Sequence, residues 1–453
     1  VRRSALAALL LTAACVTKQL PDPGPPVVSA PVVRDTARRV PPRERTPTRD
    51  DFPRDEAPTR DAAGGRAVRV ALAVAARAEP EIGATAAWRL TDARGGMLVR
   101  GRADEPWRLE RRGRQLRAVD PRRGATTPWT DAGLTVRPEG DDAFVTVDGK
   151  RYRGAVRVIG TDTTLLYVNV LGVEAYLRGV VPLEIGGPRA PNEQAAVEAQ
   201  AIAARSYTAV RLSGTARSAD YDLLATVTDQ VYGGADAERP FSDAAVAATA
   251  GLVITYNGRP VNAPYHSTCG GETAAPDEVW RSANEPWLRP VSDRIPGSAS
   301  RSYCDIAPRF AWTRVYTETE LEATLRRYLA QYASVPAGGP GRATRVTVDA
   351  RTPSGRVGRL TIATDRGTFS LRGNDIRYVL RAPGGELLNS TYFSVDADTR
   401  PGGTIARLIV RGNGYGHGIG MCQWGAIGRS RAGQSARTIL ATYYPGTSIA
   451  PYD

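Results

Sequence analysis

The chain has 453 residues, enough for two or three domains, and 42% of them are hydrophobic, enough to fill a sizeable core. Its formal charge of +13 favours a polyanionic neighbour. That charge is almost all arginine, since Lys18 and Lys150 are the lysines. No arginine block is interleaved with aromatics of the kind that stacks bases, which argues against a nucleic-acid partner.

In chain order, VRRSALAALLLTAACVTK opens with Arg2 and Arg3 before an apolar run over 5–14. The run is too short to span a bilayer and matches the basic and apolar regions of a secretory signal. It ends in TAAC, which resembles a bacterial lipobox, although Thr12 stands where leucine is commoner. Residues 1–15 are therefore expected to be a signal peptide, with Cys15 the lipidated first residue of the mature protein. The rival is a plain signal cleaved elsewhere. No later segment is long and apolar enough for a membrane helix, so membrane contact is expected through the lipid alone. The expected address is an exported lipoprotein facing the periplasm or the outer cell surface. Residues 16–66 are rich in Pro, Arg, Asp and Thr. With few large apolar side chains to offset ordering entropy, they read as a disordered tether.

Ordered structure is expected over 67–453, as an α+β body. Residues 67–170 read as β-rich, with alternating segments such as RAVRVA, AWRLTD, FVTVDG and VRVIG between Gly and Asp turns. Residues 171–315 hold a core region. There GVEAYLRGVV has helical spacing, a break is expected between 182 and 191, and a long helix follows with Asn192 as its cap. Ala196, Ala199, Ala203, Tyr207 and Val210 form one face of that helix, small enough for close packing. Next come TVTDQVYGG, a helical AVAATAG and a hairpin with an Asn-Gly turn at 257–258. Residues 316–453 open on a helix with a Thr317 to Glu320 capping pattern, continue as strands over 343–411, and end in helices near 422–432 and 435–444. Gly433 stops the first of these, and Ser435 caps the second.

The stretch GNGYGHGIGMCQW, 412–424, contains one of the two histidines and one of the four cysteines. The dinucleotide pattern G-x-G-x-x-G fails in every register and no P-loop lysine follows. Glycine at every second position predicts an extended segment with one bare face, along which a flat sugar ring or another backbone can approach. Asn413, Tyr415, His417 and Ile419 would line the other face. Apart from Cys15, the cysteines are Cys269, Cys304 and Cys422. With His266, three residues before Cys269, they make a Cys3His set suited to a structural zinc. The rival is a Cys269–Cys304 disulfide with Cys422 a buried thiol. Glu184, in VVPLEIGG, follows an apolar run and precedes a Gly/Pro loop. That context can desolvate a carboxyl and raise its pKa toward neutrality, as a general acid requires.

EAYLRGVVPLEI, EAQAIAARSYTAV, YHSTCGGETAAPDEVW, GNGYGHGIGMCQWGAIGRSRAG and ILATYYPGT stand in this order. Together they resemble the successive signatures of the stage II sporulation protein D/LytB family, over about 67–448. The resemblance implies a peptidoglycan lytic transglycosylase. Such an enzyme cleaves between N-acetylmuramic acid and N-acetylglucosamine without water and leaves a 1,6-anhydro end, acting on strands stripped of stem peptides. The glutamate of the family's Pro-x-Glu signature is Glu184 here. Because the sugar's own C6 hydroxyl attacks, one glutamate serves as acid and then base, and catalysis needs no cofactor. The resemblance places Arg205, Ser206, Tyr207, Ser267, Thr268, His417 and Gln423 around the cleft as substrate-binding residues, with structural roles as the alternative for each. Two departures stand out. Ile185-Gly186 follows Glu184 where relatives commonly have Met-Pro or Met-Ser, and cysteines occupy 269 and 422 where serine is frequent. Metal binding in some relatives favours zinc without transferring these ligands. The LytB side of the family implies a second function, a non-catalytic glycan-binding protein that modifies a cell-wall amidase.

Overall fold

The computed structural model describes residues 66–452 apart from Ala76, Ala78 and residues 215–217. The signal, Cys15 and the tether up to residue 65 lie outside the described residues. The body is α+β, as the sequence pattern predicts.

The β-rich part forms two sheets. The larger has the strand order Leu223–Leu224, Ala67–Ala71, Leu165–Gly172, Ala155–Gly160, Leu134–Pro138, Trp88–Asp92 and Met97–Gly101. Its neighbours are antiparallel except Leu223–Leu224, which runs parallel to Ala67–Ala71. The smaller sheet runs Gln115–Val119, Trp107–Arg112, Glu81–Ala84, Val145–Val147 and Lys150–Tyr152. Strand alternation decides what faces inward: Trp88 and Leu90 are buried while Arg89 between them is exposed. Trp88 meets Trp107 edge-to-face at 6.2 Å, which ties the two sheets together.

Helix α1 (Val173–Ile185) leaves the larger sheet directly. A break at Pro182 is expected from sequence, yet the helix runs through it to Ile185. Proline lacks the N–H that would bond the Arg178 carbonyl, a loss of about 3 kcal/mol. Val180, Val181 and Ile185 are buried around it, each worth about 2 kcal/mol, so burial wins. Helix α2 (Gln194–Ser213) starts after a tight turn at Pro191–Glu193. Glu193, rather than the expected Asn192, is therefore its N-cap residue. The Asn192 carbonyl instead accepts from Ser430 Oγ at 2.9 Å. α2 packs on α1, on α3 (Pro240–Ala248), on strand Leu252–Tyr256 and on two helices near the end of the chain. Its alanines make this possible: Ala196, Ala199, Ala201, Ala203, Ala204 and Ala209 are all buried. The Asn257-Gly258 turn has φ of 50° and 75°, the left-handed pair a tight hairpin needs.

After the short α4 (Pro276–Val279), residues 281–302 contain neither helix nor strand. The chain then builds a second hydrophobic core around Tyr316, Leu325, Leu360, Ile362, Phe369 and Leu408. Two three-stranded sheets enclose it, together with α5 (Glu318–Tyr328) and α6 (Asp375–Val379). α5 carries the expected cap: Thr317 Oγ1 accepts from Glu320 N, and Glu320 reaches back to Thr317 N. The stretch read as one C-terminal part is in fact divided. Ile419, Met421, Cys422, α7 (Gln423–Arg431) and α8 (Ala436–Tyr443) return to the first core.

The glycine-rich stretch is not the extended strand its spacing predicts. Strand Ile405–Asn413 ends at its start, and Gly414, Gly416, Gly418 and Gly420 take φ of 82°, 114°, 87° and 69°. Alternate residues are left-handed, a conformation open to glycine and strained for others. The bare positions face protein rather than a ligand. A Cβ on Gly420 would sit 2.0 Å from the Pro264 carbonyl oxygen, and one on Gly418 would meet the Arg356 guanidinium at 2.5 Å. Gly420→Ala should therefore cost about 2 kcal/mol, read as a lower urea midpoint with an unchanged slope.

Candidate active site

Glu184 lies in the last turn of α1, just before Gly186, whose φ of 67° turns the chain away. The residue is half-buried. Val231 N donates to its Oε1 at 2.8 Å. Among the described residues, Oε2 has no hydrogen-bond partner. Burial disfavours the carboxylate and pushes Glu184 from 4.5 up to about 7, while the Val231 N–H pulls the other way.

The donor at Val231 is positioned by residues that the sequence reading passed over. Gln230 is buried. Its Oε1 accepts from Tyr176 OH and Thr208 Oγ1, each at 3.1 Å, and its Nε2 donates to Tyr265 OH at 2.9 Å and to the Ala204 carbonyl at 3.3 Å. One amide thereby joins α1, α2 and the segment before His266 to the loop that faces Glu184. The Glu184 charge is close enough to Tyr176 and Tyr265 to add to burial in raising both phenols well above their ordinary range. The available signal was a glutamine in DQVYGG flanked by residues that read as core.

Three expected substrate contacts belong to the framework. Arg205 is buried, with Nε and Nη2 on the Glu174 carboxylate at 2.7 and 2.6 Å and Nη1 on the Leu252 carbonyl at 3.1 Å. Ser206 Oγ donates to the Ile202 carbonyl and accepts from Ile254 N, pinning strand Leu252–Tyr256 to α2. Gln423 is buried and donates from Nε2 to Gln200 Oε1 at 3.2 Å. None of these three can meet a sugar without leaving those partners. Tyr207 is half-buried; its hydroxyl donates to Asp229 Oδ1 at 2.7 Å and accepts from Arg211 Nη2 at 2.9 Å. Asp229 Oδ2 in turn accepts from Leu224 N. Tyr207 thus holds the same loop as Gln230.

His266 lies on a two-residue strand, Tyr265–His266, that pairs in parallel with Met421–Cys422, and Ser267 and Thr268 follow it. Tyr265 points toward Gln230, and His266 toward the opposite side, where its ring lies 5.4 Å from that of His417. His417 also packs at 4.9 Å on Trp280, whose ring is partly exposed. Nδ1 of His417 accepts from Ile419 N at 3.1 Å. Burial, with the nearby Arg377 and Arg356 cations, pushes His417 down to about 3, so it stays neutral and cannot act as a cationic acid. Ser267 is half-buried with Oγ 3.3 Å from Thr268 Oγ1; Thr268 is buried, and its backbone pairs with Tyr415.

The expected metal set is corrected in one member. Sγ of Cys269, Cys304 and Cys422 converge, but the fourth group within 4.8 Å is the Asp293 carboxylate. His266 is turned away, with Nδ1 on the Ile419 carbonyl at 3.1 Å. The strand alternation that carries Tyr265 to one side takes His266 to the other. All three thiols are unbonded, with Cys269 Sγ 3.4 Å from Cys304 Sγ.

The assembly is an α+β body in which a desolvated carboxyl ends one helix and a polar loop is clamped against it. A family model described as stage II sporulation protein matches residues 161–256, which contain α1, α2 and the clamped loop. A second, described as a domain of unknown function, matches residues 302–420, the region of the second core. The chain is 30% identical over 301 residues to stage II sporulation protein D of Bacillus subtilis, covering 63% of this chain and 76% of that protein. It is also 30% identical over 353 residues to the amidase enhancer of Bacillus subtilis, covering 70% of this chain and 47% of that protein. An uncharacterized protein of Brachyspira hyodysenteriae is 29% identical over 315 residues, 70% of this chain and 76% of that protein. The chain belongs to the stage II sporulation protein D/LytB family. It spans about half the length of the amidase enhancer.

Proposed function

We propose that this chain acts on the cell wall as a peptidoglycan lytic transglycosylase, with Glu184 as general acid and then base. One observation carries the reading: Glu184 is held near neutrality by burial, with a single backbone donor on Oε1 and with Oε2 left for substrate. The protonated carboxyl gives its proton to the oxygen joining N-acetylmuramic acid C1 to N-acetylglucosamine, and the C1–O bond breaks toward that oxygen. Positive charge develops at C1. The C6 hydroxyl of the same muramic acid attacks C1, and its proton returns to the Glu184 carboxylate. A 1,6-anhydro ring forms, the acid is restored and no water is consumed. A second carboxylate, which hydrolysis would need, is not required. Family membership supports a cell-wall role, and the motifs shared with that family favour glycan strands as the substrate class.

The test is mass spectrometry of glycan strands, freed of stem peptides, after incubation with the protein. Fragments with anhydro ends are expected; reducing ends that carry added water would replace this mechanism with hydrolysis. The amidase enhancer among the relatives favours a second reading. In that reading the protein binds glycan without cutting it and stimulates a cell-wall amidase, so sacculi would bind it and show no new ends. Lipidation of Cys15, by which the chain would be held at a membrane facing the periplasm or the outer cell surface, is checked by labelled-lipid incorporation. The label should disappear in Cys15→Ala.

A further inference from the structure

We propose that Cys269, Cys304, Cys422 and Asp293 bind one structural zinc ion, separate from the Glu184 site. Their four candidate ligand atoms lie within 4.8 Å of one another, and all four residues are buried. Cys269 Sγ is 3.4 Å from Cys304 Sγ and 3.6 Å from Asp293 Oδ2. A zinc ion about 2.3 Å from each sulfur and about 2.0 Å from oxygen has ligand–ligand edges of roughly 3.5–3.8 Å, so the set needs little movement to close on it. Three soft thiolates with one carboxylate in a dry site select zinc over the hard cations that prefer all-oxygen sites.

The surroundings are built for thiolates. Cys269 N and Gly425 N donate to Cys422 Sγ at 3.1 and 3.3 Å, and Cys422 is the N-cap of α7, where the positive end of the helix favours an anion. A neutral thiol does not call for two such donors, whereas a metal-bound thiolate carries charge that they disperse. The second oxygen of Asp293 is fixed as well: Oδ1 accepts from Tyr443 OH at 2.7 Å and from Arg429 Nε at 3.2 Å. Three thiolates and a carboxylate exceed the ion's two positive charges, and Arg429 supplies compensation from outside the ligand shell.

The site also has a structural task. Its ligands come from the turn after His266, from the middle of the irregular segment 281–302, from the helical turn Tyr303–Ile306 that follows it, and from the start of α7. That segment has neither helix nor strand of its own to hold it. A metal bond among four chain positions far apart in sequence fixes it and anchors the strand that carries Tyr265. Metal binding here is folding free energy.

The experiment uses the full chain with Cys15→Ala, purified without reductant from zinc-supplemented cells. The expected result is one zinc per chain by elemental analysis. Three thiols should react with a thiol reagent after denaturation in chelator, and none before. Asp293→Asn should lose zinc to a chelator at least tenfold more readily, and Asp293→Cys should restore retention. Absence of zinc with one reactive thiol means a Cys269–Cys304 disulfide, and absence with three means an apolar thiol cluster; either overturns the proposal. Iron or copper in place of zinc overturns the choice of metal, and equal retention in the asparagine and cysteine variants removes Asp293 as ligand. The wild-type metal and thiol counts stand if a variant fails to fold, and none of these readings depends on glycan cleavage.

Discussion

Glu184→Gln should abolish the appearance of anhydro ends, with a loss of at least about a hundredfold, the scale of one general acid–base group. The amide keeps the shape of the side chain and can still accept from Val231 N through its oxygen, so the fold should survive. The pH dependence follows from the raised pKa of about 7. Cleavage needs the protonated acid first, so the wild-type rate should fall as pH rises above about 7. Stability carries the same signature. Because the folded-state pKa stands above the ordinary 4.5, the folded protein holds a proton that the unfolded chain has released between these values. The contribution to stability is fully present below 4.5 and is lost as pH rises through about 7. Glu184→Gln has no such group, so urea melts should show the variant gaining on the wild type between pH 4.5 and 7. If the variant makes anhydro ends at the wild-type rate, Glu184 is not the acid. If neither protein makes them, the amidase-modifying reading takes over.

The desolvation of Glu184 was legible because its signal is local: an apolar run that buries the helix, then glycine and proline that end it. Strand alternation over 67–170 and the Thr317–Glu320 cap were legible for the same reason. What failed were inferences in which two structures share one pattern. Glycine at every second position is what a bare-faced strand requires, and also what a loop of alternating left-handed residues requires. Only the neighbours, Pro264 and Arg356 among them, separate the two. Pro182 reads as a break because propensity is local, whereas the burial that overrides it is tertiary. Asp293 had no signal, since a carboxylate 24 residues from Cys269 in an irregular segment looks like any surface aspartate until the chain folds. His266 is near Cys269 in sequence but not in space, because a strand turns neighbours to opposite faces. Gln230 illustrates the same limit: the value of a buried amide lies in its partners, Tyr176, Thr208 and Tyr265, which come from three separate segments.

Arg205→Ala should destabilise the protein by about 3 kcal/mol, as emptying a buried side-chain site and leaving its buried partners without a donor does. The Arg205 side chain is almost wholly enclosed while that of Glu174 is 44% exposed, so much of the cost comes from what Arg205 leaves behind. The Leu252 carbonyl, at 3.1 Å, and the Val246 carbonyl, at 3.3 Å, lose a donor in the interior, and the volume of a guanidinium and its stem empties between α1, α2 and α3. Glu174 keeps a bond from Gly251 N at 3.2 Å and can turn toward water, so its own share is small. Arg205→Lys should recover only part of the loss, because an ammonium cannot hold both carboxylate oxygens and the carbonyls at once. The melting temperature should fall by roughly 10 °C for the alanine variant. What separates this framework role from the sugar contact expected from sequence is the kinetic pattern. A clamp predicts fewer folded molecules with unchanged KM, so that activity per folded protein is restored at low temperature. A substrate contact predicts a raised KM at wild-type stability. An Arg205→Ala protein that melts with the wild type and binds glycan strands tenfold more weakly would return Arg205 to the cleft and would require the helices around Glu184 to open toward substrate.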